Sequence, residues 1–117
     1  MIEHLKIGTD LVDISRFQKI PFSSKSSFYK KIFLPSEIKY CSKFKNPYEH
    51  FAGKFAVKEA VKKSINKKIS FLEIETFHKN SKPFVKIHGK YNNQFTFDVS
   101  ISHEQNFALA VVLSFLN

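Results

Sequence analysis

The sequence predicts an α+β fold, with helices packed on a mainly antiparallel sheet in one small domain. Two observations carry this prediction. The first half holds helix-forming segments opened or stopped by Pro21, Pro35 and Pro47. The second half switches to period two, most clearly where Phe95, Phe97, Val99 and Ile101 alternate with Gln94, Thr96, Asp98, Ser100 and Ser102.

The elements follow in order. Residues 2–9 read as a short strand ending at Gly8-Thr9-Asp10, and Asp13 reads as the N-cap of a helix over 14–20, stopped by Pro21. Residues 22–33 read as a polar loop leading into a short basic helix. Pro35-Ser36-Glu37 opens a further helix carrying Ile38, Tyr40, Cys41 and Phe44. A long helix covers 48–65, dense in Ala, Lys, Val and Phe. Leu72, Ile74 and Thr76 alternate with Glu73, Glu75 and Phe77, and a turn at 80–83 precedes a strand over 84–88. A break at 103–106 makes the last two strands a hairpin. In the final strand Phe107, Leu109, Val111, Leu113 and Phe115 alternate with small or apolar residues, which predicts burial on both faces.

A length of 117 residues and an apolar fraction of 43% bound the chain to one folded domain with a modest core. So small a domain has little room for a deep cleft of its own, and a second copy can complete one. Eighteen lysines against the single Arg16 supply most of the +9 charge, which points to anionic partners. Nucleic acid is not the expected one, because the lysines are dispersed and no reading motif is present. The lone Cys41 forms no internal disulfide and no Cys/His cluster has zinc spacing. With no apolar run long enough to span a membrane, no membrane insertion is expected, and a cytoplasmic protein is.

Four features can carry chemistry. Asp10 follows a strand and a glycine, a placement that suits a ligand-facing acid or a plain turn aspartate. In the long helix Lys54, Lys58 and Lys62 form an i,i+4 stripe, placed together with Lys63 near phosphate, while Glu59 falls on another side with Ala52, Phe55, Ala56 and Lys63. A carboxylate so placed is half-buried and needs a partner, either Lys63 four residues on or a metal ion. His103 stands at a strand end, where it can act as acid, base or phosphate contact; His4, His50, His78 and His88 read as surface residues. Two carboxylates with lysines nearby suit Mg²⁺ and a polyphosphate, since magnesium takes hard oxygen ligands and completes its shell with water and phosphate.

Residues 7–16 (IGTDLVDISR), 51–63 (FAGKFAVKEAVKK) and 99–111 (VSISHE…ALAV) resemble, in family order, the bacterial holo-acyl-carrier-protein synthases of the phosphopantetheinyl transferase superfamily. The resemblance implies that Asp10 and Glu59 hold Mg²⁺ and that Lys63 lies at the pyrophosphate. It implies that Arg16 meets the acidic carrier and that His103 lies on the coenzyme A side. Lys54 and Lys58 are expected to assist on phosphate. The implied reaction transfers the phosphopantetheine arm of coenzyme A to a serine of acyl carrier protein, releases adenosine 3′,5′-bisphosphate and supports fatty acid biosynthesis. The implied assembly is a homotrimer with sites between subunits. Some positions depart from the pattern: no glycine occurs at 64–69, Lys54 replaces a common arginine, Ser81 a common glycine, and Glu104 a small hydroxyl residue.

Overall fold

The computed structural model describes residues 4–117, so Ile2, expected in the first strand, lies outside the described residues. Strand β1 (Leu5–Asp13) is followed by four helices: α1 (Ser15–Gln18), α2 (Ser26–Lys30), α3 (Pro35–Ser42) and α4 (Pro47–Ile65). Then come the strands β2 (Ile74–Lys79), β3 (Lys82–Ile87), β4 (Phe95–Glu104) and β5 (Phe107–Leu116). The sheet order is β1-β5-β4, with β2-β3 as a separate hairpin, and every pairing is antiparallel. The predicted fold class is the observed one.

Strand β1 does not end at Gly8-Thr9-Asp10. It runs on to Asp13 because β5 offers a partner along its whole length, from Leu5↔Phe115 to Asp13↔Phe107. Asp10 is therefore a strand residue. The first helix is correspondingly shorter than 14–20. Asp13 still satisfies a free amide at its start, accepting from Ser15 N at 2.9 Å, but from one position before the cap residue Ile14.

Helix α4 lies across the inner face of the sheet, where β5 presents only Ala108, Ala110, Val112 and Ser114. Small residues there let the helix approach closely. Gly8 marks the tightest point: a Cβ at this position would collide with the carbonyl oxygen of Ala60 and lie 2.9 Å from Ser64 N. On the other side of α4, Phe51 packs against Tyr29 and Phe33 at ring-centroid separations of 4.6 and 5.0 Å. Asn66 takes the left-handed conformation (φ 53°) at the C-cap, so it does the work of the glycine missing from 64–69.

Two expectations about burial change. The outer face of β5 is not covered by this chain: Phe107, Leu109 and Phe115 are exposed, beside Ile7 and Leu11 of β1. The lysine stripe changes in the opposite sense. Lys58 is fully buried and pairs with Glu37 Oε1 at 2.7 Å, also donating to Ile32 O at 2.9 Å and Phe71 O at 3.0 Å. Lys54 is buried too and donates to Thr76 O at 3.2 Å and Thr76 Oγ1 at 3.0 Å. Removing one partner from the Lys58–Glu37 pair would strand a charge in the core, at a cost of about 3–5 kcal/mol.

Candidate active site

The site is assembled by β1 and one side of α4. Strand alternation turns Gly8, Asp10 and Val12 toward the helix and Ile7, Thr9 and Leu11 away from it. Gly8 sits against the turn from Ala60 to Ser64. At the other end of the helix Gly53 lies under His103, and His103 and Val12 both pair in register with Ala108. Asp10, midway between Gly8 and Val12, is thereby set alongside the α4 turns between Gly53 and Ala60, which include Glu59.

Lys63 closes this arrangement. Its Nζ donates to Asp10 Oδ1 at 3.2 Å and to Thr9 O at 2.9 Å. The helical pair with Glu59, one of the two alternatives open from the sequence, is therefore not formed. Glu59 is half-buried and, among the described residues, has no ion-pair partner. A carboxyl group without an ion-pair partner, one helical turn from the lysine that contacts Asp10, is an available oxygen donor for a hard cation. Among the described residues, no three or more His, Cys, Asp or Glu side chains gather as a metal site. Two carboxylates suit Mg²⁺, which needs only one or two from the protein; they do not suit zinc.

Lys54 and Lys58 do not belong to this surface, contrary to the expectation that they would face phosphate. The side of α4 they occupy is closed by α3 and β2, and all three donors of the Lys58 ammonium are already taken by Glu37, Ile32 and Phe71. Burial holds Lys54 below the ordinary lysine range, with Cys41, Glu37 and Glu75 opposing. Lys62 is half-buried rather than a plain surface residue, its Nζ 3.5 Å from the centre of the Phe71 ring.

Arg16 lies apart from Asp10 in a hollow of about 320 Å³ with Phe17, Ile20, Phe28, Ile32, Phe55 and Phe71. Its guanidinium is 5.4 Å from the centre of the Phe55 ring, which leaves the planar cation at the rim of an apolar depression.

His103 lines a larger cleft of about 680 Å³, with Tyr40, Phe44, His50, His78 and Lys82. His103 Nε2 lies 3.3 Å from Glu49 O and its Nδ1 3.8 Å from Glu49 Oε1. His50 and His78 were expected on the surface. They stack instead on Phe44 and Tyr40, with centroids 3.7 and 4.8 Å apart and planes within 17° and 7°. Burial, then the Lys54 charge, lowers the His78 pKa to about 4, so this ring presents a neutral face. Nothing in the spacing of these histidines signals the stack, because their partners come from other elements.

The sequence profile of the 4′-phosphopantetheinyl transferase superfamily matches residues 6–112. A holo-(acyl-carrier-protein) synthase from Syntrophus aciditrophicus is 38% identical over 117 aligned residues, covering 91% of each chain. This chain belongs to the holo-(acyl-carrier-protein) synthases of the 4′-phosphopantetheinyl transferase superfamily. A second synthase, from Thermodesulfovibrio yellowstonii, is also 38% identical, with 92% of this chain and 95% of the relative covered. Among solved structures, the Helicobacter pylori synthase in complex with coenzyme A superposes with a TM-score of 0.77 at 37% identity, over 91% of this chain and 96% of that one. The synthase fold thus accounts for the architecture, and Asp10, Glu59 and Lys63 fall within its matched span.

Proposed function

We propose that this synthase transfers the phosphopantetheine arm of coenzyme A to a serine hydroxyl of apo acyl carrier protein, in a reaction that needs Mg²⁺ and leaves adenosine 3′,5′-bisphosphate. The observation that carries the reading is the Lys63–Asp10 contact at 3.2 Å, with Glu59 one helical turn before Lys63 and without an ion-pair partner among the described residues. Asp10 and Glu59 would hold the magnesium, which when bound supplies charge neutralisation and orientation at the pyrophosphate. Lys63, anchored by Thr9 O, keeps its ammonium where negative charge grows on the phosphate that is being transferred. Charge developing there is matched by a donor that needs no rearrangement. The serine proton passes to a carboxylate of the site, directly or through water.

The cleft around His103 supports a place for the nucleotide end of coenzyme A. Its parallel imidazole and phenol faces offer stacking for a planar base, and Lys82 at its edge offers a cation for phosphate. The Arg16 hollow supports docking of the carrier: its rim is cationic, its floor is aromatic, and Lys19, Lys25 and Lys30 lie nearby in the chain to attract an acidic partner.

The homotrimer with sites between subunits is part of this reading. The uncovered sheet face, with Ile7 62% and Leu11 61% exposed, is a contiguous apolar surface of the kind that copies of a chain bury against each other. Among the described residues no helix is long and apolar enough to cross a membrane, and the reading includes a cytoplasmic enzyme that serves fatty acid synthesis.

Mass spectrometry of apo carrier protein incubated with coenzyme A, Mg²⁺ and this enzyme tests the proposal. The expected result is a phosphopantetheine adduct on the carrier that disappears when Mg²⁺ is chelated. Absence of the adduct on several carriers would end it.

A further inference from the structure

The Lys58 ammonium, unused by the chemistry above, holds two backbone carbonyls, and both belong to residues of the Arg16 hollow. Ile32 O accepts at 2.9 Å and Phe71 O at 3.0 Å, while the side chains of Ile32 and Phe71 line that depression. Between them stands Phe55 of α4, whose ring centre is 5.5 Å from that of Phe71. Glu37 completes the node. It takes Lys58 at 2.7 Å, the Leu34 amide at 2.7 Å and the Thr76 amide at 2.8 Å, so it ties α3 and β2 to the same point. Lys58 also immediately precedes Glu59, so whatever fixes the rotation of α4 at Lys58 fixes the direction of Glu59.

We propose that the buried Lys58–Glu37 pair is a positioning device that sets the separation of the Ile32 and Phe71 walls and couples the fit of the docked carrier to the orientation of the Glu59 turn. The inference rests on the transferase reading and adds to it. A pair that served stability alone would be replaceable, since buried ion pairs exchanged for neutral residues of similar volume are often tolerated. A ligand-like function for Lys58 is ruled out by its geometry, as its three N–H groups are saturated by Glu37, Ile32 and Phe71. What distinguishes this pair is where its hydrogen bonds end: on the two walls of one hollow, from a helix whose next residue is Glu59 and whose Lys63, one turn on, contacts Asp10.

The test is steady-state kinetics of the double variant Glu37→Gln/Lys58→Met. This substitution removes both charges and leaves one amide oxygen, which can accept from either the Leu34 or the Thr76 amide but not both, since these donate to different oxygens of Glu37. Positioning predicts that the variant, folded by circular dichroism, shows KM for apo carrier raised about tenfold or more, with KM for coenzyme A little changed. KM values for both substrates unchanged from wild type, at unchanged kcat, would overturn it. Should the variant not fold, side-chain ¹⁵N resonances of the wild-type lysines give the answer: apo carrier should shift the Lys58 signal, and a silent Lys58 on saturation counts against the proposal. Failure of the transferase reading itself would show separately, as a wild-type enzyme that makes no adduct.

Discussion

Lys63 reaches across the helix–strand seam to Asp10, 3.2 Å from Oδ1, instead of turning back along its own helix to Glu59. That choice leaves the two carboxylates unequal. Asp10 has a cation and Glu59 has none among the described residues, so in the proposed function a divalent ion would meet one free oxygen donor and one that it must share. Lys63→Met should therefore lower transfer about 10²–10³-fold without unfolding the protein, because its side chain is 55% exposed and such pairs add little stability. Lys63→Arg should recover only part of the loss, since a guanidinium is larger and planar. Rates from adduct mass spectrometry decide; a fully active Lys63→Met would remove the residue from the chemistry.

Asp10→Asn and Glu59→Gln should each abolish Mg²⁺-dependent transfer with the thermal midpoint little moved. Neither carboxylate supports the core, so the losses belong to the site. Variants that keep the wild-type rate at the wild-type Mg²⁺ requirement would speak for a role other than holding the ion.

Gly8→Ala tests the seam itself. The added methyl would meet the Ala60 carbonyl oxygen, a backbone atom that cannot swing aside. Destabilisation of about 1–3 kcal/mol is expected, together with a loss of transfer, because β1 carries Asp10. Urea titration gives the first quantity. A variant as stable as wild type would mean that β1 and α4 can part at no cost.

Acid should destabilise the protein through His78. Its pKa is lowered from 6.5 to about 4 by burial, so the folded chain keeps this ring neutral where the unfolded chain protonates it. The unfolded state then binds more protons between about pH 6.5 and 4, and stability present above that window is lost as pH falls through it. His78→Phe should flatten the dependence between pH 7 and 5. An unchanged slope in the variant would assign the effect to other groups.

The uncovered sheet face predicts self-association. Leu11→Asp places a charge within the apolar patch and should convert an oligomer to monomer by light scattering, with loss of transfer if the sites lie between copies. A wild-type protein that stays monomeric at micromolar concentration would contradict the trimer directly.

Much of this molecule is legible in its residues, and the illegible part has a common cause. Alternation in β4 and β5, the proline-opened helices and the acids Asp10 and Glu59 are local signals, and the elements they predict are present. The lysine stripe misleads because i,i+4 charges look the same whether solvated or neutralised by distant partners. Glu37 and Thr76 stand 21 and 22 residues from the lysines they meet. The second face of β5 misleads differently: its large residues call for cover, yet nothing within the chain supplies it. Asp10 as a turn residue fails for a third reason, since the length of β1 is set by β5, nearly a hundred residues later.

Gly53 gives α4 a further meaning. With only a hydrogen there, His103 can rest on the helix; an added Cβ would stand 3.2 Å from its ring nitrogen. Glu59 is six residues further along, at about 1.5 Å per residue. In the proposed function the helix acts as a ruler, with the His103 seat and Glu59 about 9 Å apart along its axis. Its graduations are also angular. One residue inserted between Gly53 and Glu59 would lengthen the gauge by only about 1.5 Å but turn Glu59 by roughly 100° from Asp10. A site on a rigid scale of this kind tolerates substitutions along it far better than any change in its count.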